Sequence, residues 1–200
     1  MQRSKKIIFG VDEVGRGPLA GPVIAAAITG PKFSIFNFQF KNFQNRDSKK
    51  LSPMQRETIY KFLKKDPSVQ WGIGRVGERT IDKINVFQAT KLAMEKAVLS
   101  LEKKISKKAN LLLLDGNFEI SLNRPQKPII RGDETEFLIS LASIVAKVER
   151  DKLMQRLHKK YPQYGFDKHK GYGTKMHMAT LAQLGPCEIH RASFSPINKM

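Results

Sequence analysis

Three places in the sequence set a carboxylate just after a short apolar run. Asp12-Glu13 follows Ile7-Ile8-Phe9-Gly10-Val11, Asp115 follows Leu111-Leu112-Leu113-Leu114, and Asp133 follows Ile129-Ile130-Arg131-Gly132. Runs of this length between polar flanks read as buried strands. In open α/β sheets, ligands gather at the carboxyl ends of strands, so strands of one sheet would bring Asp12, Glu13, Asp115 and Asp133 together. Four carboxylates in a low-dielectric setting repel one another unless a cation compensates. Mg²⁺ or Mn²⁺, which take hard oxygen ligands, would do so. Two such ions about 4 Å apart clamp a phosphodiester for in-line attack by water, with no Ser, Cys or His nucleophile. Any one of these acids alone is equally a helix cap, a turn former or a solvated strand end. The chemistry rests on the set.

Three other stretches are candidate contacts. In Gly15-Arg16-Gly17-Pro18-Leu19-Ala20-Gly21-Pro22, the glycines let backbone amides approach a phosphate or sugar, and Arg16 offers a bidentate contact. The spacing fits neither a dinucleotide fingerprint nor a Walker loop, and an ordinary tight turn reads the same way. Asp47-Ser48-Lys49-Lys50-Leu51 is either a solvated charge run or a place where lysines reach a backbone phosphate. His169-Lys170-Gly171-Tyr172-Gly173-Thr174 sets an aromatic between glycines beside basic residues. That suits stacking on a sugar or base, or a tyrosine that anchors a turn. His158, His169, His177 and His190 lack zinc-ligand spacing and read as loop or helix-surface residues, with His190-Arg191 beside a nucleic acid. Ser193 and Ser195 have no nucleophile-elbow context.

The charge names a class of partner. Lys and Arg number 36 against 18 Asp and Glu, a formal +18, and the pI is near 10.1. Such an excess points to a polyanion, nucleic acid before an anionic membrane, although simple solubility also uses lysine. One cysteine, Cys187, excludes an intramolecular disulfide and a cysteine zinc cluster. No apolar stretch approaches the ~20 residues of a membrane span, and Ile7-Ile8-Phe9 is too short for a signal peptide. A reducing, cytoplasmic setting is expected.

The elements that must position these residues alternate. Strands are expected over Lys6–Val11, Val23–Thr29 and Phe33–Phe40 (Phe36, Phe38 and Phe40 at period two), then Val69–Val76, Leu111–Leu114 and Ile129–Ile130. Helices are expected from Pro53, capped by Ser52, through Lys65, then Ile81–Lys103, Phe137–Lys160 as the longest, and Lys175–Gln183. The result is a mixed-sheet α/β domain with a helical C-terminal portion.

Together these motifs resemble one family. Gly10 to Pro22, Asp47 to Leu51, Ile81-Asp82-Lys83-Ile84-Asn85, Asp115-Gly116-Asn117, Gly132-Asp133, Ala142 to Asp151, His169 to Thr174 and His190 to Phe194 are similar, in order, to the motifs of bacterial ribonuclease HII. They span nearly the whole chain. The resemblance implies an RNase H-like fold, a mixed five-stranded sheet flanked by helices. Residues 1–160 would form the catalytic domain, and residues 161–200 a C-terminal extension that carries the substrate-binding tyrosine and packs on the same domain. It implies an endonuclease, acting as a monomer, on RNA/DNA hybrids and on duplex DNA containing ribonucleotides. Such an enzyme incises 5′ of a single ribonucleotide and leaves 3′-hydroxyl and 5′-phosphate ends. Asp12, Glu13, Asp115 and Asp133 match its metal-binding catalytic acids. Gly15, Arg16 and Gly17 match the loop that reads the 2′-hydroxyl. Tyr172 matches a tyrosine that stacks on the next deoxyribose, and Lys49 a lysine near the phosphates. Val14, Thr80 and Leu141 depart from the usual pattern, and Glu134 and Glu136 crowd Asp133. The sister ribonuclease HIII shares the acids but normally carries an N-terminal domain, whereas 11 residues precede Asp12 here. A non-catalytic basic nucleic-acid-binding protein would explain the charge and leave the four acids unexplained.

Overall fold

The computed structural model describes residues 6–30 and 51–200. The strand expected over Phe33–Phe40, and Asp47 to Lys50 with Lys49, lie outside the described residues. Five strands form one mixed sheet: β1 (Ile8–Val14), β2 (Val23–Thr29), β3 (Gln70–Val76), β4 (Leu111–Asp115) and β5 (Gln126–Ile129), in the order β3-β2-β1-β4-β5. β1 is antiparallel to β2, and β2 to β3; β4 runs parallel to both β1 and β5.

The α-helices of the described residues are α1 (Pro53–Lys65), α2 (Glu78–Ile105), α3 (Gly132–Thr135), α4 (Phe137–Lys160), α5 (Phe166–His169) and α6 (Lys175–Leu184). The central strands are covered on both faces, so β2 is an almost continuous apolar run. Phe9, Val11, Ala25, Ala27, Leu112 and Leu114 pack with α2 on one face. Ala26 and Ile28 pack with Ile59 and Leu63 of α1 and Val145 of α4 on the other. α4 then runs past the sheet, and Met154 joins Leu19, Ala20, Tyr164, Phe166, Leu181 and Ile189 in a third apolar cluster.

The register positions the acids. Val11 of β1 lies beside Leu114 of the parallel β4, so the next residue on each strand, Asp12 and Asp115, falls on the same face at neighbouring positions. Gly10 lets α4 come down onto that face, because a Cβ there would lie 2.3 Å from the backbone carbon of Leu138.

Three details differ from the sequence expectation. β1 continues through Val14, so Asp12 and Glu13 lie within the strand. Asp133 sits on the short helix α3, entered through Arg131 in a left-handed conformation, rather than at a strand end; β5 stops at Ile129. α2 starts at Glu78, three residues before the expected Ile81, and neither of its two segments is longer than the 24-residue α4. It breaks at Asn85 (φ 62°, ψ 166°), whose Oδ1 accepts from the amides of Phe87 and Gln88 and so caps the second segment.

Candidate active site

Asp12, Glu13 and Asp115 each present an oxygen to one point, and these atoms lie within 4.8 Å of one another. Asp12 is 4% exposed. Burial, then the charges of Glu13 and Asp115, push its carboxyl well above the usual carboxylate range, against hydrogen bonds from the Ser143 hydroxyl and the Glu13 amide. Burial also pushes Glu13 up, opposed by the guanidinium of Arg16 3.5 Å away. Glu13 Oε2 is buried and makes no hydrogen bond. Converging carboxylates whose ionised forms the protein does not fully compensate fit a hard divalent cation such as Mg²⁺ or Mn²⁺. Asp133 is buried close by, and its amide donates to Asp115 Oδ1 at 3.3 Å, but its carboxylate is not among the three that converge.

The loop after β1 folds inward, burying Gly15 and Pro18 to Pro22. Its two prolines donate no amide, and its carbonyls require partners. Two fully buried arginines supply them. Arg191 donates to the carbonyls of Gly15, Arg16 and Gly21. Arg150 donates to those of Ala20 and Pro22, and also to Lys170 at 3.0 Å. Gly15 has φ +96°, and a Cβ there would meet Arg150 Nε at 2.3 Å. Arg191 is itself held from the far side: Asp82, near the start of α2, accepts from the amides of Ala192 and Ser193 and from the Ser193 hydroxyl.

Tyr172 stands beside this loop, next to Gly17. The residue is 41% exposed, the Arg150 guanidinium lies 5.9 Å from the ring centroid, and a Cβ on Gly17 would approach Cε1 at 3.9 Å. Asp12, Glu13, Asp115, Gly15, Arg16, Gly17 and Tyr172 therefore line one cleft of about 420 Å³, together with Arg56, Ser143 and Lys147.

The histidines and Arg191 correct the sequence reading. His169, His177 and His190 are buried, not on a loop or helix surface, and Arg191 is buried rather than beside a nucleic acid. Sequence reasoning also gave no role to Arg150, Ser143 or Lys147, although all three lie in the Ala142–Asp151 motif. On α4 they recur at positions 143, 147 and 150, a spacing that puts them on the face turned to the loop.

The family model of ribonuclease HII matches residues 9–197. The ribonuclease HII of Chlamydia caviae is 50% identical over 194 residues, 97% of this chain and 86% of that protein. That of Chlamydia muridarum is 49% identical over 192 residues, 96% and 83% of the two chains. Among solved structures, the ribonuclease H2 of Pyrococcus horikoshii superposes with a TM-score of 0.72 at 24% identity, covering 96% of each chain. That last likeness bears on the fold.

Proposed function

This chain belongs to the ribonuclease HII family and has ribonuclease H activity on RNA/DNA hybrids, and we propose that it also incises duplex DNA 5′ of a single embedded ribonucleotide, leaving 3′-hydroxyl and 5′-phosphate ends. The observation that carries the reading is the one cleft shared by Asp12, Glu13 and Asp115, the Gly15-Arg16-Gly17 loop and Tyr172. Asp12, Glu13 and Asp115 would hold the divalent cations, with Asp133 the fourth acid of the set. Bound there, Mg²⁺ or Mn²⁺ supplies charge compensation and activation of water for phosphodiester hydrolysis.

The chain's own residues divide the remaining work. Backbone groups of Gly15 to Gly17, where Arg191 holds the carbonyls of Gly15 and Arg16 from behind, meet the 2′-hydroxyl of the ribonucleotide, and a rigid frame suits selection by one hydroxyl. The ring of Tyr172 stacks on the following deoxyribose and leaves no room for a 2′-hydroxyl there. Lys49 contacts the phosphates. Residues 1–160 are read as the catalytic unit and 161–200 as the extension that brings Tyr172 to it; the protein would act as a monomer in the cytoplasm.

The test compares kcat/KM on a DNA duplex bearing one ribonucleotide with that on a continuous hybrid, with each metal, for the wild type and Tyr172→Ala. The variant should lose more on the single-ribonucleotide duplex. Equal losses on both substrates would reduce Tyr172 to a turn anchor.

A further inference from the structure

The buried histidines lie directly beneath Tyr172, and their hydrogen bonds fix where each proton sits. His177 Nδ1 lies 2.9 Å from the carbonyl oxygen of Tyr172, which only an N–H can bond, so the neutral ring carries its proton there. Its Nε2 is then an acceptor and must be met by a proton on His190 Nε2, 3.0 Å away. His190 Nδ1, 2.9 Å from the Cys187 amide and 3.2 Å from both the Cys187 thiol and its carbonyl oxygen, then accepts the amide. His169 stacks on His177 with centroids 4.2 Å apart. Its Nδ1 accepts the Gly171 amide at 3.2 Å, while Nε2 donates to the Tyr164 carbonyl at 2.7 Å. Each ring can be neutral with both nitrogens used, and the amide of residue 171 and the carbonyl of residue 172 are both held. A proton added to His177 would set two N–H groups against each other across 3.0 Å.

We propose that His177, locked by His190 in the neutral Nδ1-protonated form, is a positioning residue that sets the orientation of Tyr172 for substrate selection. The inference rests on the reading of Tyr172 as the residue that selects the junction. The same pair also ties the two substrate loops together through the interior. His190 bridges to Ala20 of the loop after β1, and the adjacent Arg191 binds the carbonyls of Gly15 and Arg16.

Two substitutions separate positioning from mere packing. His177→Leu fills the space and removes the donor. His177→Asn places an amide N–H near the Nδ1 position and keeps it. His177→Leu should lower the single-ribonucleotide to hybrid ratio of kcat/KM roughly three- to tenfold, the worth of one hydrogen bond. His177→Asn should recover most of that ratio. A folded His177→Leu protein with wild-type selectivity would overturn the proposal. So would parallel losses on both substrates. Tyr172→Ala, run alongside, separates the two layers: its loss of selectivity without one in His177→Leu overturns the positioning role alone, whereas unchanged selectivity in Tyr172→Ala overturns both. If the leucine variant does not fold, imidazole ¹⁵N spectra of the wild type decide. They should show His177 protonated on Nδ1 and His190 on Nε2, and the opposite assignment would sink the mechanism.

Discussion

Arg191 donates through Nη1 to the carbonyl oxygen of Arg16 at 2.8 Å, so a fully buried arginine holds the loop on which an exposed one is presented. Burial, and then the charge of Arg150, push its guanidinium down to about 10, so the charge is held at a cost. The acceptors explain why it is there: without Arg191, carbonyls in a buried loop lose their donors. Arg191→Met should therefore destabilise the fold by at least about 2–3 kcal/mol, at roughly 1–3 kcal/mol for each buried carbonyl left without a donor, read from urea unfolding. Arg191→Lys should restore little, because one ammonium cannot span three carbonyls as a fork does. A loss under about 1 kcal/mol in the Met variant would mean the loop holds itself.

At the acids, metal and mutation should act in opposite directions on stability and activity. Asp12 and Glu13 are ionisable groups whose folded forms resist ionisation. In the absence of metal, Asp12→Asn should melt above the wild type, since a buried like charge is removed. Mg²⁺ or Mn²⁺ should raise the melting temperature of the wild type in a concentration-dependent way and that of the variant much less, while cleavage by the variant is lost. A variant that still turns over near normally would refute the ligand role of Asp12.

The histidine cluster makes an acid-side prediction. Burial, with smaller contributions from His169 and His190, pushes His177 from 6.5 down to about 4, against its hydrogen bond to Tyr172. His169 and His190 shift the same way, chiefly through burial. The unfolded chain takes up these protons more readily than the folded one. The contribution is therefore complete above pH 6.5 and is lost as the pH falls from there towards 4. The acids shift oppositely, so the clean measurement is a difference: the wild type should lose stability more steeply than His177→Leu across this window. Parallel pH curves would argue that His177 charges freely in the fold.

What could be read in the sequence follows physical range. Strands β1 and β4 are local apolar runs that end on or near Asp12 and Asp115, so the pairing of these acids was legible from run length and position alone. Asp133 was only half legible, because the left-handed turn at Arg131 that moves it onto a helix is not encoded by a glycine. The burial of Arg191 and of three histidines was not legible. In a chain of charge +18, a His-Arg pair has every appearance of a surface contact. What draws it inward is a set of carbonyls about 170 residues away in sequence. The one available signal was the loop itself, too rich in glycine and proline to satisfy its own acceptors.

Salt dependence separates the charge from the site, and Arg16 is where the two meet. A basic surface that neutralises phosphates releases one condensed counterion for nearly every contact, so log K should fall with log salt at a slope of about −0.9 per contact. Binding of a single-ribonucleotide duplex by Asp12→Asn without metal isolates this term from chemistry, and for 6–10 contacts affinity should fall about 10³–10⁵-fold between 50 and 200 mM salt. A flat response would detach the +18 charge from substrate binding. Arg16 is exposed and lies 3.5 Å from Glu13. In Arg16→Ala on the same background, a slope shallower by about 0.9 would identify a phosphate contact. Because the loop's frame is set by Arg191 and Arg150 behind it, the expected outcome is instead an unchanged slope with a loss of preference for the ribonucleotide junction. That result would give the Arg16 side chain, presented by that frame, a part in selection and leave general affinity to the other lysines and arginines around the cleft.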